Sequence, residues 1–217
     1  MNHGTNKAFR LSNDQMDAGP AGSADADAEL VAAATRDDLA AFEVLVSRHE
    51  KRIVNIAYRI TGDYEDACEG AQDSFVSAFR NLKHFRGEAR FSTWLTSIAM
   101  NQARNRLKQV RTRRSREPVS LDDPILTDDG AMMRDPPSQS PSALESMEKR
   151  DVQRAVQDCI SGLEAEFREV LVLRDIQGYA YDEIGKVLKV REGTVKSRIF
   201  RARGAMKDCL KKLMGYL

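Results

Sequence analysis

Aromatic residues make up only 6% of this 217-residue sequence, and no segment alternates apolar and polar positions as a half-buried strand does. A shortage of large rings and a missing period of two argue against a sheet-based core. They point to an all-α chain. No apolar run approaches the roughly 20 residues that a bilayer-crossing helix needs. The opening "MNHGTNKAFRLSNDQMD" also lacks the apolar centre of a secretion signal. The expectation is an intracellular, cytoplasmic protein. Cysteine is sparse: Cys68, Cys159 and Cys209 are odd in number and far apart, with no CxxC pair and no neighbouring histidine cluster. That excludes a zinc-knuckle pattern and leaves small buried thiols as the expectation. His3, His49 and His84 form no ligand or triad pattern, and no glycine-lysine phosphate loop occurs. Neither a metal, a cofactor nor a small-molecule substrate is expected, and an enzyme is not the reading these residues favour.

What is present is charge, unevenly placed. Formal net charge is only +1, yet that average conceals three blocks. Between Asn101 and Arg116 stand Arg104, Arg106, Lys108, Arg111, Arg113, Arg114 and Arg116, with no acid among them. Between Glu117 and Glu145 the acids Glu117, Asp122, Asp123, Asp128, Asp129, Asp135 and Glu145 face Arg134 alone. From Lys186 to Lys212 there are ten basic residues and two acidic ones. Two basic patches flank an acidic connector.

Apolar spacing organises the rest. Residues 1–27 are small and polar without periodicity and read as a disordered arm. Phe42, Leu45, Val46, Ile53, Ile56, Ala57 and Ile60 recur at helical intervals, with Asp37 or Asp38 as cap and Gly62 as terminator. A second helix over about 64–82 would bury Ala67, Ala71, Phe75, Ala78, Phe79 and Leu82. After the loop "FRGEARF" a third starts near Ser92, buries Trp94, Leu95 and Ile98, and turns basic. Five of the six prolines fall in "EPVSLDDPILTDDGAMMRDPPSQSPS", which reads as a linker. The resulting division is an arm (1–27), a first helical domain (28–113), an acidic linker (114–143) and a second helical domain (144–217).

In the second domain, "YDEIGKVLKVREGTVKSRIFRARGAM" has helix-turn-helix spacing. Val195, Ile199, Ala202 and Met206 fall on one stripe, and Lys196, Ser197, Phe200 and Arg201 spread over the opposite half. In this motif the second helix enters the major groove. Arginine can donate twice to guanine, serine serves several acceptors, and phenylalanine can touch a thymine methyl. Arg198, Arg203 and Lys207 lie toward the flanks, suited to phosphates or to partners within the protein.

The first domain combines an aromatic loop, "HFRGEARFSTW", with a basic helix end, the combination that suits unstacked bases on rings and a backbone on cations. Phe91 and Trp94 read as core, whereas Phe85 is balanced between core and ligand. Asn101 can offer both a donor and an acceptor to the pairing edge of an unstacked base. On the second helix Asp66, Glu69, Asp73, Val76 and Arg80 point away from the apolar stripe, with Gln72 at its border. Such a face either is solvated or meets a positively charged protein.

"FRGEARFSTWLTSIAMN" and "YDEIGKVLKVREGTVKSRIFRARGAM", joined by an acidic linker, resemble bacterial RNA polymerase sigma factors of the extracytoplasmic-function group over about Glu29–Leu213. The resemblance implies a promoter-specificity subunit. Its helix matching Thr194–Arg203 would read the -35 element with Thr194, Lys196, Ser197, Arg198, Phe200 and Arg201. The first domain would melt the -10 element and hold a flipped base near Phe85 and Asn101, with Arg104, Asn105, Lys108 and Arg111 along its path. Asp66, Glu69, Gln72, Asp73 and Val76 would dock on the clamp helices of the polymerase largest subunit, and the second domain on the flap of the second-largest. The linker resembles the segment that threads the RNA exit channel. An anti-sigma factor, often membrane-anchored, is the further partner implied. Two departures stand out: Glu69 replaces the usual docking aspartate and is followed by Gly70, and Ala180 stands where a Ser or Thr often caps the helix. The competing reading is a free-standing helix-turn-helix regulator of duplex operators, which explains the second domain and leaves the first unexplained.

Overall fold

A computed structural model describes residues 26–116 and 143–214, and every regular element among them is helical. Most of the expected arm and of the acidic linker lies outside the described residues, as does the side chain of Arg111. The first group of helices comprises α1 (Ala28–Thr35), α2 (Leu39–Thr61), α3 (Tyr64–Asn81) and α4 (Phe91–Arg116); the second comprises α5 (Ala143–Ser161), α6 (Ala165–Leu171), α7 (Tyr181–Leu188) and α8 (Glu192–Met214).

Local chemistry sets the helix ends. Asp38 takes the N-cap of α2, its carboxylate accepting from the Ala41 amide at 3.1 Å, and Asp63 does the same for α3 with Asp66 at 2.7 Å. Gly62, at φ +80°, ends α2 in the left-handed conformation expected of it. In the first group α2, α3 and α4 pack against one another around Leu45, Ile53, Ile56, Ile60, Phe91 and Leu95, all essentially inaccessible. Phe79 departs from expectation. It is 41% exposed, its ring lying 5.0 Å from that of Phe42, because the stripe facing α2 and α4 is already filled by Ala71, Phe75 and Ala78.

In the second group α5, α6 and α7 each pack on α8 or its neighbours, and Val195, Ile199, Ala202 and Met206 form the buried stripe anticipated for α8. The turn between α7 and α8 depends on close approach: a Cβ on Gly185 would stand 2.9 Å from the Val190 carbonyl oxygen. The missing cap at Ala180 is partly replaced from inside the helix, since the Glu183 carboxylate accepts from the Ala180 amide at 2.9 Å. The expectation of three thiols is corrected: Cys159 and Cys209 form a disulfide that ties α5 to α8, and Cys68 alone is free. The pairing follows from helix packing that brings positions 50 residues apart within 5.8 Å between Cα atoms, which linear spacing does not reveal.

The helix after α6 widens by one residue. Over Val172–Ile176 the bond from the Gln177 amide reaches back five residues to the Val172 carbonyl (3.0 Å), and Gly178 at φ +76° then turns the chain. This shift aims Gln177 and Tyr179 at the first group of helices. Tyr179 is fully buried, its hydroxyl 2.7 Å from that of Thr96 on α4, and the Gln177 amide donates to Asn55 on α2 at 2.8 Å. Burial raises the Tyr179 phenol pKa, the Thr96 hydrogen bond acting in the opposite sense.

Candidate nucleic-acid interface

The outward face of α8 is built by contrast between its two sides. Val195, Ile199 and Ala202 are buried against α6 and α7, so the opposite residues are held outward: Phe200 is 81% exposed, and Lys196, Ser197 and Arg201 are exposed beside it. Thr194 is half-buried in the first turn, where its carbonyl accepts from the Ser197 hydroxyl at 3.0 Å. Lys196 pairs with Glu192 at 2.6 Å, which raises its ammonium pKa, and lies 5.8 Å from the Tyr181 ring centre. Arg198 pairs with Glu166 at 2.6 Å and is mostly covered. Of the two roles open to that flank position, the intramolecular one is filled in this conformation. Arg203 likewise holds Asp175 through two bonds of 2.5 and 2.9 Å.

A second surface surrounds the start of α4. Phe85, Phe91 and Trp94 form one aromatic cluster, with ring centres 5.0 Å apart for Phe85 and Trp94 and 6.1 Å for Phe85 and Phe91. Phe91 is core, as expected; Phe85 and Trp94 are half-buried and line a cavity of about 350 Å³ with His84, Arg86, Thr93 and Ser97. Asn101 lies one turn beyond Ser97 and does not itself line that cavity. It accepts a long bond of 3.3 Å from Arg104. Asn105 and Lys108 are exposed farther along α4. The face as a whole offers rings at one end, then amide and cation.

Arg104 and Arg106 leave α4 in different directions. Arg104 grips Glu169 of α6 through Nε and Nη2 at 2.5 and 2.6 Å, and the carboxylate raises its pKa further. Arg106 crosses to α3, bonding Asp66 at 2.6 Å and Glu69 at 2.7 Å. Two of the five residues expected on the docking face are therefore neutralised from within, whereas Gln72, Asp73 and Val76 stand exposed on α3, Val76 at 42%. The apolar part of that face is larger than the sequence suggests, because Phe79 joins Val76. Periodicity placed Phe79 inside; only the width of the filled core reveals otherwise. Glu169 and Tyr179 were equally absent from the sequence reading, since nothing local marks a side chain whose partner is some 65–83 positions away.

Family comparison agrees with this two-part geometry. The sequence model described as Sigma-70 region 2 matches residues 45–114, and that described as Sigma-70, region 4 matches residues 153–206. The RNA polymerase sigma-H factor of Pseudomonas aeruginosa is 34% identical over 188 residues, covering 87% of this chain and 95% of the relative.

The chain belongs to the extracytoplasmic-function sigma factors of the sigma-70 family.

It is accordingly a transcription initiation factor that directs RNA polymerase to promoters, from a family of non-catalytic transcription factors. The sigma-E factors of Haemophilus influenzae and of Escherichia coli are 33% and 31% identical, each over 87% of this chain. Among solved structures, CnrH in complex with the cytosolic domain of CnrY superimposes with TM-score 0.63 at 26% identity, over 87% of this sigma factor and 99% of CnrH. The sigma factor RpoE of Bartonella quintana, solved with the anti-sigma factor NepR, shares the fold at TM-score 0.57 and 21% identity, over 78% of this chain and 96% of its own. A free-standing regulator is not favoured, because it leaves the region 2 match without a role. No helix among the described residues is long and apolar enough to cross a membrane.

Proposed function

We propose that this sigma factor binds core RNA polymerase in the cytoplasm and reads a bipartite promoter, with no catalytic activity of its own. The division into an arm (1–27), a polymerase-docking and melting domain (28–113), an acidic linker (114–143) and a -35-reading domain (144–217) belongs to the same proposal. The observation that carries it is the exposure of Phe200 at 81% on a helix whose opposite stripe is inaccessible. A large apolar ring held in water at the exposed centre of a helix-turn-helix has a physical use when a thymine methyl or base edge covers it.

In the paired upstream DNA, Lys196, Ser197, Phe200 and Arg201 face bases, while Thr194 and, once released from Glu166, Arg198 face backbone. In the melted element, the cavity beside Phe85 and Trp94 receives an unstacked base, and Asn101 supplies complementary donors and acceptors. Arg104, Asn105, Lys108 and Arg111 follow the strand. Extracting a base costs a few kcal/mol, which stacking of about 1–3 kcal/mol per base helps offset, so no nucleotide hydrolysis is required. Asp66, Glu69, Gln72, Asp73 and Val76 dock on the clamp helices of the largest subunit, the second domain engages the flap, and an anti-sigma factor, in some settings membrane-anchored, controls access.

Run-off transcription with purified core polymerase tests this reading. Accurate initiation from selected promoter fragments is the expected result. Duplex binding without polymerase association would instead restore the free-standing regulator.

A further inference from the structure

Cys159 and Cys209 join the last turn of α5 to the carboxyl-terminal half of α8, closing a segment of 50 residues that contains α6, α7 and the outward face of α8. Packing of the neighbouring side chains brings the two cysteines together. Ile160 and Leu163 are buried just after Cys159, Met206 is buried one turn before Cys209, and Leu210 packs half-buried beside it. The Cα atoms stand 5.8 Å apart, a separation that a disulfide spans without moving the backbone. The two sulfurs differ in access. Cys159 is 2% exposed, whereas Cys209 is half-buried, with Lys207, Asp208, Lys211 and Lys212 exposed within one turn of it. An incoming reagent, above all an anionic one, meets Cys209 first.

The mechanical position of the bond is equally specific. α5 packs chiefly on α8 and α2, and its outward side carries Arg150, Val152 and Arg154, all exposed. Cutting a cross-link over a segment of this length returns entropy to the unfolded chain and lowers stability. α5, held to the rest of its group along one strip of side chains, is the element that loosens. α8 runs unbroken from Glu192 to Met214, so bracing its carboxyl-terminal half by α5 also steadies the half that carries Ser197, Phe200 and Arg201.

We propose that Cys159 and Cys209 form a thiol–disulfide exchange site for low-molecular-weight disulfides, and that closing the bond braces α8 and tightens its hold on duplex DNA. In closure the Cys209 thiolate attacks one sulfur of the small disulfide, whose S–S bond breaks and releases one thiolate. The Cys159 thiolate then attacks the Cys209 sulfur and expels the second. Two electrons pass from the protein dithiol to the small disulfide, and the two cysteine protons end on the two small thiols. Opening is the reverse, a small thiolate attacking Cys209 and displacing Cys159. This rests on two readings proposed above, the contact of α8 with duplex DNA and the cytoplasmic location, where small thiols keep most disulfides transient.

The test compares the oxidised and reduced full chain, so no substitution has to fold. The protein is equilibrated in mixtures of reduced and oxidised glutathione, and free thiols are counted by mass after alkylation. The count is expected to pass from three in the oxidant-poor mixtures to one, Cys68, in the oxidant-rich ones. Reduction is expected to speed tryptic cleavage after Arg150 and Arg154 about tenfold, as a larger open population of α5 requires. It should lower Tm by about 5–15 °C and weaken binding to a duplex selected by the chain from a randomised pool about threefold. Cys209→Ala should bind as the reduced chain does and ignore the mixtures; Cys68→Ser should respond as the parent does. A thiol count that stays at one in excess reduced glutathione, or at three in oxidised glutathione, overturns the exchange site and leaves both underlying readings standing. Equal duplex affinity in the two states overturns the proposal whatever the cleavage rates, and so does a response that persists in Cys209→Ala. Absence of duplex binding in either state removes the reading of α8 and the coupling with it. A pair that exchanges in vitro yet remains a disulfide throughout growth in the cell removes the cytoplasmic location and the cycle with it.

Discussion

Phe200 and Arg201 sit side by side on α8 with nothing of the protein over them, and their substitution separates reading from folding. Arg201→Ala is expected to weaken binding to the preferred upstream duplex by about 1–3 kcal/mol, the worth of a good bidentate base contact. Gel-shift titration against mutated upstream elements would show it, with core polymerase binding unchanged. Asn101→Ala should slow open-complex formation, followed by permanganate reactivity of unpaired thymines, and leave duplex affinity intact. Asp73→Ala should do the reverse, lowering the association rate with core polymerase and flattening its salt dependence, as loss of an exposed steering charge does. Equal loss of polymerase binding in all three would contradict the assignment of separate faces. A fourth residue shows how the chain before α1 is tied down. Asp27 is buried against His49, 2.8 Å away, and Arg48, and the His49 hydrogen bond leads the interactions that lower its pKa against the opposing effect of burial. A carboxyl whose folded pKa is depressed stabilises the fold above its unfolded value and loses that contribution as pH falls through the folded one. Thermal melts below about pH 4 should therefore fall less steeply for Asp27→Asn than for the parent.

At the scale of single elements, α3 carries a glycine it does not need for shape. A Cβ at Gly70 would meet nothing within 4 Å, and its φ is an ordinary helical one. Gly70→Ala should therefore stabilise α3 by about 0.5–1 kcal/mol, which for a chain of this size raises Tm by about 1–4 °C. If polymerase affinity falls although Tm rises, flexibility of α3 contributes to docking. Gly185 provides the opposite case. There the added methyl would press on the Val190 carbonyl, so Gly185→Ala should lower Tm and weaken duplex binding by displacing α8. An Ala180 in place of a capping Ser or Thr costs α7 about 1 kcal/mol; Glu183 recovers part of it, a compensation visible in the sequence only as an acid three places on.

At the scale of the whole molecule, two helical units share one seam, and each half of the seam is unremarkable in its own sequence neighbourhood. Helical periodicity identified α2, α3, α4 and α8 and most of the large apolar core residues of α2, α3 and α8, because a 3.6-residue repeat is a local property that burial of one face enforces, but on α4 Trp94 and Ile98 are only half-buried while Ala99, Met100 and Ala103, which it did not mark, are core. It failed at Phe79, where the core was already full, and it could not pair Cys159 with Cys209. The outward set on α8 was legible for the same reason as the inward set: fixing one stripe fixes the opposite one. The aromatic loop and basic run proposed as the single-strand surface were legible as composition. The internal partners of Arg104, Arg106 and Arg198 were not, because a charge pair is chosen by distance in space and these partners lie between 32 and 65 positions away. The sequence alone thus determined which side chains of α8 and most of those of α3 are held outward, since that depends on helix phase and side-chain type. The tertiary structure alone decided which of them are already engaged by the protein itself, since ion pairing and burial depend on how α3, α4 and α6 are brought together.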